Sequence, residues 1–192
     1  MNDIYILPGR KSKNPVSVSK EINIQWNPEN GKKCELILSK DRDTISITIN
    51  TDVVELLINE QQIKVQGLKS NPKSKSLSGT YRALIQNAAD GLITPWQVDL
   101  IFEGVGYKVM PGNGANSLAL HVGYSFPRNF TLPENINYEI VDNNRRLILK
   151  GINKQELMQI AAKIRKNRPP NAYSGKGIRY GDEVVHKKEV GK

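Results

Sequence analysis

Twice along this chain, apolar residues alternate with period two, close on a hairpin that ends in glycine, and give way to a helical period. In the first pass Ile22-Asn23-Ile24-Gln25-Trp26 and Ile45-Ser46-Ile47-Thr48-Ile49 alternate cleanly. Leu36-Ile37-Leu38 and Ile63-Lys64-Val65 are shorter stretches of the same kind, and Pro28-Glu29-Asn30-Gly31 reads as a turn. Period two puts one face of a strand inward and the other outward, so these stretches predict half-buried strands. Tyr81, Leu84, Ile85, Ala88 and Leu92 then share one helical face, with Gly91 available to end the helix and Pro95 to enforce the stop.

The second pass repeats the plan. Val98–Phe102 leads through Gly104-Val105-Gly106 into Tyr107-Lys108-Val109, and Pro111-Gly112-Asn113-Gly114 makes a turn. Leu118, Leu120, Val122 and Tyr124 alternate with Ala119, His121 and Gly123. A hairpin joins Tyr138–Val141 to Arg146–Leu149 across Asp142-Asn143-Asn144. Asn153 stands three residues before Glu156, a capping-box spacing, and Leu157, Ile160, Ala161 and Ile164 form the stripe of a helix that Pro169-Pro170 stops. Aligning Gly67 with Gly151 pairs Ile63 with Leu147 and Val65 with Leu149, which suggests duplication. Strands then helix, twice over, predicts an α+β fold of two tandem similar domains, each an antiparallel-rich sheet packed on one helix. The polar stretch Lys69–Ser76 reads as a linker. The expected division is residues 1–94, residues 95–170, and a basic extended tail over 171–192, which shows no buried periodicity.

Chemistry has little to work with. The two histidines, His121 and His186, lie far apart, and neither HExxH, GxSxG nor a phosphate-binding GxxxxGK[ST] loop occurs. Gly104-x-Gly106 follows a strand but enters another strand, so no helix N-terminus is there to receive a pyrophosphate. Cys34 is the single cysteine, which excludes an intramolecular disulfide and a four-cysteine zinc cluster and reads as a small half-buried strand residue. Asp182-Glu183 reads as local charge balance. The expectation is no enzyme, no catalytic residues, no metal, no cofactor, no small-molecule substrate and, with no apolar run near 18 residues, no membrane span.

Charge is more informative. The chain carries 28 Lys and Arg against 19 Asp and Glu, a net +9. Residues 163–192 hold nine of those cations and only three acids, Asp182, Glu183 and Glu189. Such an excess speaks for a polyanionic partner. The candidate RNA-binding residues are Lys163, Arg165, Lys166 and Arg168 on the last helix, then Tyr173, Gly175, Lys176, Gly177, Arg179 and Tyr180, then Lys187 and Lys188. Glycines allow backbone amides close to phosphates, Lys and Arg displace counterions, and tyrosines stack on bases or bond to 2′-hydroxyls.

Arg168-Pro169-Pro170-Asn171-Ala172-Tyr173-Ser174-Gly175-Lys176-Gly177-Ile178-Arg179-Tyr180 closely resembles the signature of the L-six family of bacterial-type large-subunit ribosomal proteins. Gly104-Val105-Gly106-Tyr107, Val122-Gly123-Tyr124-Ser125 with Pro127, and Leu77-Ser78-Gly79-Thr80-Tyr81-Arg82 are similar to its other motifs, and the resemblance covers about residues 75 to 190. Ser174 stands where the family commonly has lysine, Phe126 where histidine is usual, and the family's lysine–glycine-rich segment in the first half is absent. The resemblance implies two copies of one α+β fold and a structural role. Its expected partners are large-subunit rRNA near the sarcin–ricin loop, neighbouring large-subunit proteins, and translation factors landing nearby. A freestanding RNA-binding or ribosome-assembly protein is the alternative. The divergence, with abundant Asn, Ile and Lys, favours an organellar ribosome, mitochondrial ahead of plastid, over a bacterial one.

Overall fold

The computed structural model describes residues 14–27, 33–59, 61–68, 73–114 and 116–188. The chain is α+β and divides into two compact units at the Thr94–Pro95 bond. In the first unit, β1 (Val16–Ser17), β6 (Gln62–Gly67) and β5 (Val54–Asn59) form one antiparallel sheet. The meander β2 (Asn23–Asn27), β3 (Lys33–Lys40) and β4 (Asp43–Asn50) forms the other. The alternating residues Leu36, Leu38, Ile49 and Ile63 turn fully inward, and α1 (Ser74–Ile93) covers them with Ile85, Ala88, Ala89 and Leu92. Cys34 is buried at the start of β3 with a free thiol.

The second unit repeats this order with a longer first strand and a shorter meander. The meander β8 (Lys108–Pro111), β9 (Ser117–His121) and β10 (Arg128–Thr131) matches β2–β4. The sheet β11 (Ile136–Val141), β12 (Arg146–Gly151) and β7 (Trp96–Glu103) matches β5, β6 and β1, and α2 (Lys154–Lys166) follows. The Gly67–Gly151 alignment therefore joins equivalent strand ends. Leu100 and Phe102 of β7, Leu147 and Leu149 of β12, and Leu157, Ala161 and Ile164 of α2 make a buried apolar core. The β11–β12 turn has three successive non-glycine residues at positive φ, Asp142, Asn143 and Asn144. Asp and Asn tolerate this left-handed region better than most side chains, which is why this triplet serves as the turn.

Four local expectations need correction. The region after Pro170 is not simply an extended tail: Gly177–Tyr180 is β13, paired antiparallel with β7 and burying Ile178 completely. One buried isoleucine is too few to show as a period. The linker's last residues, 74–76, already belong to α1, while residues 69–72 and the predicted turn at residues 28–31 lie outside the described residues. Gly91 does not end α1. The helix passes through it to Ile93, and the stop comes at Thr94, which is held extended ahead of Pro95. Finally, β9 stops at His121, and Gly123 (φ +79°) turns the chain so that Tyr124 sits in a loop and not on a strand.

Candidate nucleic-acid interface

The last helix begins on a built cap. Asn153 Oδ1 accepts hydrogen bonds from the Gln155 and Glu156 amides at 3.1 and 3.4 Å. The box is only half made, because the Glu156 carboxylate receives Asn135 Nδ2 at 2.6 Å. At the other end Lys163, Arg165 and Lys166 occupy the last turn, where the helix dipole favours cations. Asn167 Nδ2 donates to the Lys163 and Ile164 carbonyls and closes the helix ahead of the two prolines.

Beyond them residues 171–176 fold onto themselves. The Asn171 amide donates to the Lys176 carbonyl at 2.9 Å and the Gly175 amide to the Asn171 carbonyl at 2.8 Å. Asn171 Oδ1 accepts from the Tyr173 and Ser174 amides. The resulting loop presents Tyr173, 61% exposed, together with exposed Lys176. The chain then enters β13, tied by the Ile178 amide to the Arg168 carbonyl at 2.7 Å, and returns so that the Lys188 amide meets the Ala172 carbonyl at 2.8 Å.

The glycines do different work from that expected. Gly177 is buried, and a Cβ there would stand 2.5 Å from Pro170 Cα, so its smallness lets β13 lie against the prolines. Gly175 (φ +72°) donates its amide within the loop, and a Cβ there would press on Lys187 Cε at 2.6 Å.

The predicted cations also part into two groups. Arg165 is gripped by Glu183 through two bonds, Nε to Oε2 at 3.0 Å and Nη2 to Oε1 at 2.5 Å. The same carboxylate accepts the Tyr180 amide at 3.1 Å. Hydrogen bonding from Arg165 is the chief reason the Glu183 carboxyl titrates below its usual value, and Glu183 in turn raises Arg165. Arg179, alternating with Ile178 and so on the other sheet face, donates to Glu103 at 2.7 Å. Tyr180 lies under the Arg165 guanidinium at 5.5 Å from its ring centre. These residues brace β13. Lys163, Lys166, Lys176, Lys187, Lys188 and Arg168 are exposed and, among the described residues, have no carboxylate partner. Glu103 and Glu183 lie 76 and 18 residues from the arginines they neutralise, so sequence spacing carried no sign of either pairing.

The family profile of Ribosomal protein L6 matches residues 103–181, the segment that holds every motif of this site up to β13. Large ribosomal subunit protein uL6 of Marinobacter nauticus is 33% identical over 183 residues, covering 95% of this chain and 98% of its own. The protein of the same name from Desulfosudis oleivorans is 36% identical over 93% of this chain and 96% of its own, and that from Chromohalobacter salexigens is 36% identical over 95% and 98%. The likeness thus extends well into the first unit, beyond the residue-75 limit of the motif resemblance. With relatives this similar across almost its whole length, the chain belongs to the large ribosomal subunit protein uL6 family.

Proposed function

We propose that the chain is a structural, non-enzymatic constituent of the large ribosomal subunit and binds large-subunit rRNA through the end of its second unit. Within the particle we place it near the sarcin–ricin loop and the factor-binding region, beside other large-subunit proteins. The observation that carries this is the self-bonded loop 171–176. It leaves Tyr173 and Lys176 exposed, with the exposed cations of α2 before it along the chain and Lys187 and Lys188 after it. A preorganised basic loop loses little conformational freedom on meeting a folded RNA. Lys163, Lys166, Lys176, Lys187 and Lys188 supply the phosphate contacts, Tyr173 supplies a stacking face, and Arg165, Arg179, Gly175, Gly177 and Tyr180 hold the frame.

The relatives are bacterial, which fits a bacterial ribosome and lends no support to the mitochondrial placement favoured by composition. Among the described residues no helix is long and apolar enough to cross a membrane.

The test is sedimentation and salt titration. The chain is expected to travel with large subunits at one copy per particle. Appearance only on precursor particles would indicate an assembly factor instead. Lys163→Gln with Lys176→Gln should flatten the log–log salt dependence of rRNA binding by about 1.5–2 ions. An unchanged slope removes both lysines from the interface.

A further inference from the structure

Three motifs far apart in sequence converge in the second unit. Tyr107 packs its ring where a Gly104 Cβ would be, at 2.8 Å, and its hydroxyl lies 3.0 Å from the corresponding point at Gly123. Side chains at either position would displace it, and Gly104 and Gly123 both hold positive φ, +152° and +79°. The Tyr107 hydroxyl accepts from Arg168 Nε at 3.3 Å, and Tyr124 Oη donates to the Asn167 carbonyl at 3.0 Å. The loops 104–107 and 122–127 are thereby fastened to the end of α2.

Over the ring of Tyr124 stand two guanidinium groups. Arg128 lies 4.4 Å and Arg168 5.4 Å from its centre. Both side chains are exposed, and among the described residues neither meets a carboxylate, whereas Arg165, Arg179 and Arg146 each do. Two guanidiniums within reach of one ring concentrate positive charge at that point of the surface, and an anion there would be attracted by both. With Arg168 Nε given to Tyr107, its terminal Nη groups remain to meet a phosphate, and such groups pair with phosphate oxygens through charge-assisted hydrogen bonds. On the two fastened loops Val105 is 89% and Phe126 83% exposed, so apolar tips accompany the charge. Exposed aromatic plus paired, acid-free arginines is the chemistry of an RNA backbone with an unstacked base.

We infer that Tyr124, Arg128 and Arg168 form a second RNA-contact site, in which the two arginines clamp a phosphate of the large-subunit rRNA and Phe126 stacks on an adjacent unpaired base. The site deepens the rRNA-binding reading above and rests on it. Arg128 and Phe126 belong to no motif of the tail, and Arg168 joins the two surfaces through the diproline.

The experiment titrates the full-length chain against its own large-subunit rRNA, transcribed in vitro, across a salt series. Arg128→Gln and Arg168→Gln should each weaken binding about five- to tenfold and lower the salt slope by about one ion. Phe126→Ser should weaken binding about tenfold with the slope unchanged, because stacking releases no counterion. Lys150→Gln, which removes a cation paired with Glu139 on the sheet, is the charge-matched control and should leave both readouts as they were. Because Arg168 also bonds Tyr107, its variant is checked by thermal melting, and Arg128→Gln stands independently of that contact. Three results overturn the site: wild-type binding with full retention by Arg128→Gln and Phe126→Ser; equal loss in Lys150→Gln, which means diffuse attraction; or loss of subunit incorporation with rRNA binding intact, which assigns the surface to a protein neighbour. Failure of the wild-type chain to bind the rRNA at all instead sinks the underlying reading.

Discussion

The two units run through one plan but end it differently. In the first, the sheet is closed at one side by β1, a strand of two residues whose Val16 pairs with Ile63. In the second, the equivalent strand β7 is eight residues long and carries β13 on its far side. The helices differ as well. α2 starts on the Asn153 side chain, while α1 starts at Lys73, in helical conformation, without a side-chain cap bond. The repeat thus supplies a common scaffold, and the extra strand turns the second copy into a mount for the basic loop. That loop is held because its chain leaves α2, makes its turn and is returned to the sheet within about ten residues.

The largest test of this comparison is Ile178→Ala. Ile178 is fully buried among Phe102 and the α2 stripe, so truncation should cost about 2–4 kcal/mol in urea unfolding. The matching change in the first unit, Val16→Ala, removes less apolar surface and should cost about 1–2 kcal/mol. Ile178→Ala with no more effect than a surface change would mean that β13 adds nothing to the second unit.

Next in size is Glu183→Gln, which breaks the two-pronged grip on Arg165. Both side chains are a quarter to a third exposed, which reduces the loss to about 1–1.5 kcal/mol. Because Arg165 holds the Glu183 carboxyl below its ordinary 4.5, the folded chain binds fewer protons there than the unfolded one. The contribution is therefore complete above that pH and disappears as pH falls through the folded value. Wild type and variant should converge in stability as pH falls below the ordinary 4.5 and through the lowered folded value, and a gap that persists in strong acid would remove the carboxylate as its source. The Glu21–Lys40 pair of the first unit has a lowered glutamate too, and it ties the end of β3 to the turn ahead of β2.

The smallest expected effect is Asn153→Ala, about 0.5–1 kcal/mol through loss of the α2 cap. Far-ultraviolet circular dichroism against temperature measures it, and a melt identical to wild type would show that tertiary packing alone fixes the start of α2.

Much of the scaffold was legible because it depends on local periods. Leu36, Leu38, Ile63, Leu147, Leu149 and the α2 stripe Leu157, Ile160, Ala161 and Ile164 are buried where their spacing put them. What could not be read were features decided by single residues or distant partners. Ile178 is the one large side chain of β13 that is buried completely. Gly123 ends β9 early and moves Tyr124 into a loop, where it meets Arg128 and Arg168. Arg165 and Arg179 look equivalent to Lys176 in a charge run, yet Glu183 and Glu103 neutralise them.

By itself the sequence determined the repeated α+β plan, the positive terminus and the motifs that resemble one ribosomal family, because apolar period and charge count are properties of neighbours along the chain. The tertiary structure alone decided which of those charges stay free to meet a polyanion, because an ion pair forms wherever folding brings opposite charges within reach, however many residues separate them.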